Sequence, residues 1–373
     1  MLEIERSPNT ATGDTRLLQQ LYLPFLFEAQ NADGGWGYRC GGQSSVEATS
    51  WVLLALLGIQ DVEKSTLDES QELTSRASSL ELPAGQDRGF RNHQGERVIC
   101  STFDSQLLDA LNSRLLAGVR WLKGCQLRDG SWPSFAGQPR GCWVTAPASL
   151  ALYTHGNSLD HVARGLLWLS KLWPVEGSIW RRIGVKLFRH NRMMRQDSSL
   201  RGWGWTPGTA SWVEPTSCAL IALRHIPEKM HPREAGRRLR LAERMLYDRM
   251  CPGGGWNSGN PLVYGTAGVP RIGPTAWALL ALQAYRVRSE NCLSLDWLER
   301  AYGQIQGPGS LALAHLCLKF HGRSVPALGP SLAVLNSNNQ FLGHTLVAAW
   351  AAVALSGRPR WLGREASKAE LET

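Results

Sequence analysis

Internal repetition is the feature that most limits what this 373-residue chain can fold into, because a recurring unit must pack against copies of itself. An aromatic–Leu pair opens the unit, as Phe25-Leu26, Trp121-Leu122, Trp168-Leu169 and Trp297-Leu298. The intervals of 96, 47 and 129 residues fall near two, one and somewhat under three units of about 48 residues. Four residues after the Leu come Gln30 and Gln126, then Asp33-Gly34-Gly35-Trp36 and Asp129-Gly130-Ser131-Trp132. Later copies keep the Gly–Trp end, as Gly202-Trp203-Gly204-Trp205 and Gly254-Gly255-Trp256. A second piece follows each turn: Val46-Glu47-Ala48-Thr49, Val144-Thr145-Ala146-Pro147, Val213-Glu214-Pro215-Thr216 and Ile272-Gly273-Pro274-Thr275. Each leads into a run of small and apolar residues.

The segment before Gln is amphipathic at helical spacing (Leu115, Val119, Leu122, Gln126) and ends at glycine-rich turn residues. The second piece opens another helix, since proline is tolerated in a first turn and Thr can cap it. Its Ala/Leu run is apolar nearly all round, so that helix is buried on most sides. Each unit is therefore an antiparallel helix pair, amphipathic outside and apolar inside. The expected fold is all-α, an α/α toroid of about six pairs near 17–59, 72–112, 115–156, 161–225, 234–287 and 294–322. A further helix is expected at 341–356. The toroid domain then spans 17–356, between tails at 1–16 and 357–373, around a central apolar cavity.

Composition excludes some classes. With 43% hydrophobic residues, 19% charged and 16 Trp, the chain has ample material for a core and is not disordered. The eight cysteines show no C-x-x-C spacing and no apolar leader precedes position 17, so free thiols, no metal site and a cytoplasmic setting are expected. The longest apolar run, Phe341 to Leu355, is too short to span a bilayer. The net charge of +9 concentrates locally in 181–201, where seven Arg or Lys face one Asp with apolar residues interleaved. That pattern suits peripheral contact with an anionic membrane face, or a diphosphate clamp; nucleic acid is not expected, because no reader module surrounds it.

The run Gly118 to Trp132, GVRWLKGCQLRDGSW, resembles the QW repeat of squalene–hopene and oxidosqualene cyclases, and Phe25 to Trp36 is similar. The Val-x-Pro-Thr element resembles the inner-helix start of the wider prenyltransferase and squalene-cyclase superfamily. The resemblance implies that Gln and Trp tie turns to neighbouring helices. It also implies a class II terpene cyclase-like enzyme, an isomerase that protonates a polyene or prenyl substrate without cofactor or metal. Such cyclases carry the acid in a D-x-D-D-T motif, which is missing here; aligned on the threonine, Glu214 takes the place of the acid, and Glu47 the same place in the first repeat. Trp51, Trp143, Trp203, Trp205, Trp212 and Trp277 are the expected cavity aromatics, able to face a carbocation.

Two other superfamily members supply alternatives. His344-Thr345 resembles part of a zinc prenyltransferase β-subunit site, without its D-x-C partner, and Cys40-Gly41-Gly42-Gln43 resembles a thioester motif, departing at Gly42. A non-catalytic lipid-binding or scaffold protein is the rival from another class. The sequence leaves a homo-oligomer open.

Overall fold

Outer helices form where apolar residues recur every three or four positions, and inner helices where they scarcely stop. A computed structural model of the chain describes residues 14, 16–61, 105–156, 158–175, 196–197, 199–285, 288–339, 343–357, 359 and 361–363. Among these, six antiparallel pairs follow one another. The outer members are α1 (Leu23–Glu28, entered through a π turn at Leu18–Tyr22), α3 (Ser105–Gly124), α5 (Leu159–Lys171), α7 (Ala235–Asp248), α9 (Ser289–Tyr302) and α11 (Leu328–Asn339). The inner members are α2 (46–61), α4 (Thr145–His155), α6 (Val213–His225), α8 (Ile272–Ala281), α10 (Pro308–Phe320) and α12 (Thr345–Leu355). On α3 the buried side chains are Leu111, Leu115, Val119 and Leu122, a single stripe; on α6 every residue from Pro215 to Leu223 is buried.

The staples work as the repeat implies. Indole N–H groups of Trp36, Trp132, Trp203 and Trp256 donate to the carbonyls of Leu26, Leu122, Leu169 and Leu246 on the preceding outer helix. Gln30 donates both to Gly34 O in its own turn and to Arg114 O on the next outer helix, and Gln126 likewise to Gly130 O and His161 O. Trp36 then packs on Gly118 and Trp132 on Gly165, where an added Cβ would come within 2.6 Å and 2.8 Å of the rings. The threonines close the unit. Thr49, Thr145, Thr216 and Thr275 each accept the backbone N–H of the staple Trp at 2.9 Å and return a hydrogen bond to its carbonyl.

A third tie joins the pairs into a ring. Val46 N–H donates to Ser134 O, Trp143 N–H to Trp205 O, Val213 N–H to Ser258 O and Thr345 N–H to Tyr38 O. Every acceptor stands two residues after a staple Trp, and the last bond links the sixth pair to the first. These carbonyls satisfy donors that a helix start leaves unpaired.

Three expectations change. The pair at 72–112 does not stand alone, because 105–124 is one helix belonging to the second pair, and 62–104 lie outside the described residues. The sixth pair is instead α11 with α12; α11 carries no aromatic–Leu opening, so the repeat signal passes over it. Beyond α12, in the stretch expected to trail as a tail, Trp361 and Leu362 are buried in the core.

Candidate active site at the inner-helix rim

The inner helices run parallel round the ring, so their N-termini share one face. Aligning the copies on the clamp threonine places Glu47, Trp143, Glu214 and Gly273 in one register, two residues before Thr49, Thr145, Thr216 and Thr275. The starts of three successive inner helices thus carry carboxylate, indole, carboxylate, the indole from the turn just before α4. This shifts the second copy by two residues from its apparent sequence alignment, which would set Pro147 rather than Thr145 against Thr49.

Glu47 is half-buried, and the Tyr38 hydroxyl donates to its Oε2 at 2.6 Å. Burial pushes the Glu47 carboxyl pKa up, and the Tyr38 hydrogen bond pulls it part of the way back. Glu214 stands in the first turn of α6, also half-buried. Burial raises its pKa too, opposed by its own backbone N–H, the Ser258 hydroxyl and the charge of Arg271. Ser258 Oγ donates to Glu214 Oε1 at 3.1 Å; Oε2 is shielded from solvent and meets no hydrogen-bond partner. Cys218, buried one turn below Glu214, has its thiol pKa raised by burial and then by the charges of both Glu47 and Glu214. Helix α2 is not α6's neighbour, and a Glu47 charge reaching Cys218 agrees with the two carboxylates sharing one end of the ring.

The aromatics divide between rim and core. Trp143 and Trp205 are half-buried at the rim and meet edge to face at 5.0 Å, beside a half-buried Trp212. Trp203, expected at the cavity, is instead the staple of the third pair, fully buried in its turn. Trp51 and Trp277 belong to the first and fourth inner helices, opposite members of the ring, yet their rings lie 4.9 Å apart. Trp361 packs on Trp51 at 5.6 Å and Trp350 on Trp277 at 6.1 Å. At that depth the expected hollow is filled with indole, because side chains of this size span the gap between facing helices. A separate cavity of about 280 Å3 lies at the opposite end of α2 and α4, lined by polar groups including Gln60, Asn112 and His155.

Among the described residues no group of three His, Cys, Asp or Glu side chains gathers as a metal site. His344 pairs by its backbone with Arg39, and burial followed by the Arg39 charge lowers its pKa. Cys40 is an exposed free thiol. Most of the basic segment 181–201 lies outside the described residues; its end is anchored where Gln196 donates to Gly259 O and Asn260 Oδ1. No helix among the described residues is long and apolar enough to cross a membrane.

Sequence reasoning passed over Tyr38, Ser134 and Ser258. Together with Trp205 these occupy the position two after each staple Trp. There the carbonyl ties the ring while the side chain reaches a rim residue: Tyr38 to Glu47, Ser134 to Cys142 at 3.3 Å, Trp205 to Trp143, Ser258 to Glu214. The constant spacing of 13 residues from Trp to Thr in the first three of these copies is the signal that exposes this register.

No family model matches the chain, and no curated protein matches it. Among solved structures, a protein from Actinoplanes is similar over 93% of this chain and 98% of its own, at 14% identity and a TM-score of 0.50. A type II terpene cyclase from Scytonema in complex with its product merosterolic acid A covers 93% and 99%, at 14% identity and a TM-score of 0.33. A glycosidase covers 96% and 99%, at 11% identity and a TM-score of 0.33. The likeness to the Actinoplanes protein concerns the fold alone.

Proposed function

We propose that the protein is an acid catalyst of the class II terpene cyclase type, an isomerase that protonates an isoprenoid alkene at the N-terminal rim of its inner helices. The observation that carries this reading is the asymmetry of Glu214. One oxygen accepts the Ser258 hydroxyl, while the other is buried and unpaired. A carboxylic acid in that state holds its proton on the free oxygen and can present it to a substrate with no hydrogen-bonding group of its own. Burial alone would make a weak acid; the Ser258 hydroxyl, the backbone N–H and Arg271 stabilise the conjugate base and so strengthen the acid.

An alkene protonated there becomes a carbocation. The half-buried rim indoles Trp143, Trp205 and Trp212 offer π faces that stabilise a cation by about 1–2 kcal/mol each where water is excluded. Trp51 and Trp277 form a floor beneath, which favours a compact substrate, or one end of a longer chain, over a polyene threaded through the ring. The test is incubation of the purified chain with squalene and with prenyl diphosphates of fifteen and twenty carbons, repeated with Glu214→Gln. Cyclised product should appear and then fall by about 10²–10⁴-fold in the variant. Tight retention of unchanged lipid by both proteins would instead favour a binding or scaffold role.

A further inference from the structure

The reading of Glu214 as the acid leaves the cation to be discharged, and three observations identify the group. The clamp threonines put Glu47 and Glu214 at the same height on α2 and α6, with Trp143 at that height in the turn that enters α4 between them. The ring joints seat these helix starts side by side, with Val46 N–H on Ser134 O, Trp143 N–H on Trp205 O and Val213 N–H on Ser258 O. The charges of both carboxylates reaching the Cys218 thiol agree with that placement. Their hydrogen bonding differs: Glu214 keeps one oxygen unpaired, whereas Glu47 receives the Tyr38 phenol at 2.6 Å. Tyr38 is itself fixed, its carbonyl bonded to Thr345 N–H and its ring edge-on to Phe135 at 6.2 Å.

Resting on the proposed function, we infer that Glu47, oriented by Tyr38, is the terminating base of the same reaction, so that the product leaves as an alkene. The protons and electrons balance. The O–H bond of Glu214 breaks and the substrate π pair forms a new C–H bond, leaving a cation on the neighbouring carbon. Where further double bonds lie within reach, their π pairs form ring C–C bonds and carry the cation along. The Glu47 carboxylate then takes a proton from the carbon beside the final cation, and that C–H pair becomes the new C=C. Glu47 ends protonated and Glu214 ionised; exchange with water at the rim restores both, and the net change is an isomerisation. A phenol donating to the base favours its ionised form before the step and tolerates the acid afterwards, since Tyr38 can rotate to accept. Trp143 would hold the cation on its path between the two carboxylates.

The experiment is product analysis of the full chain in deuterium oxide, with the same squalene and prenyl diphosphate probes. The wild type should give an alkene that gains one deuterium and loses one hydrogen per cycle. Glu47→Gln should still consume substrate, but at least tenfold more product should carry the elements of water, because the unquenched cation is captured by solvent. Tyr38→Phe, which keeps the ring and its packing, should shift the alkene-to-alcohol ratio in the same direction by a smaller factor. An unaltered ratio in Glu47→Gln, with Glu214→Gln inactive, overturns the base assignment and leaves the acid intact. Consumption that survives Glu214→Gln overturns the proposed function beneath it. If Glu47→Gln alone abolishes consumption while Glu214→Gln does not, the two roles are reversed and the inference is wrong.

Discussion

At the scale of single residues, the clamp threonines carry more than their size suggests. Thr216 accepts the Trp203 N–H and donates to the Trp203 carbonyl, both inside the core. Thr216→Val keeps the shape and strands a buried donor, which should cost about 1–3 kcal/mol in urea unfolding, whereas Thr216→Ser should recover most of that. The glutamates carry the opposite sign. Burial raises the pKa of Glu47 above its unfolded value, so the folded chain binds that proton more tightly than the unfolded one. Its contribution is therefore fully present below the unfolded pKa and lost as pH rises through the folded value. Glu47→Gln should accordingly raise Tm at pH 7 by a few degrees while leaving it nearly unchanged at pH 4, a pattern expected where stability has been given up for function. A variant that melts lower at both pH values would show Glu47 to be a structural residue.

At the scale of the element, one ring joint shows how the repeat tolerates a lost letter. The third unit has no glutamine, and the bond it would make runs in reverse. Arg238, on α7 at the position that Arg114 and His161 hold on their helices, donates back to Leu172 O and Gly202 O. Its guanidinium is sandwiched between Trp173 and Trp203 at 4.3 Å and 4.4 Å, and burial lowers its pKa to about 10. Arg238→Leu should destabilise by about 3 kcal/mol through the two orphaned carbonyls and the lost stacking, read as a drop in the urea midpoint. This joint also marks what the sequence could show. Apolar spacing on α3 and α6, the Gly–Trp turns and the Thr pieces were legible because they recur. The rim was not, because the second copy places Thr145 two residues away from the apparent match, and the fourth carries six extra residues between Trp256 and Thr275. Those extra residues accommodate a small hairpin, Leu262–Val263 paired with Thr266–Ala267. Nor could an inner-helix Trp declare whether it lines a hollow or fills it; Trp51 and Trp277 read alike in either case.

At the scale of the whole molecule, closure is the governing fact. The sixth pair meets the first through Thr345 and Tyr38, and Trp361, 2% exposed, is laid on Trp51 from beyond the last helix. Trp361→Ala should therefore cost about 3–5 kcal/mol and loosen the joint between first and last pairs, seen as faster amide exchange in both α2 and α12. Acid should act on the ring as a unit. Burial holds the pKa values of His225 and His315 at about 4, so the unfolded chain takes up protons that the folded one refuses. Their contribution is full above about pH 6.5 and is lost as pH falls towards 4, with a slope approaching two protons. His225→Gln with His315→Gln should flatten that slope. The crossed indoles of Trp51 and Trp277 have one more consequence. A ring with a stopped bore has a single door, so whatever enters at the glutamate end must back out past the same tryptophans. Exit of a rigid, newly folded hydrocarbon would then set the pace of turnover, and trimming the sill at Trp212 should quicken release before it touches the chemistry.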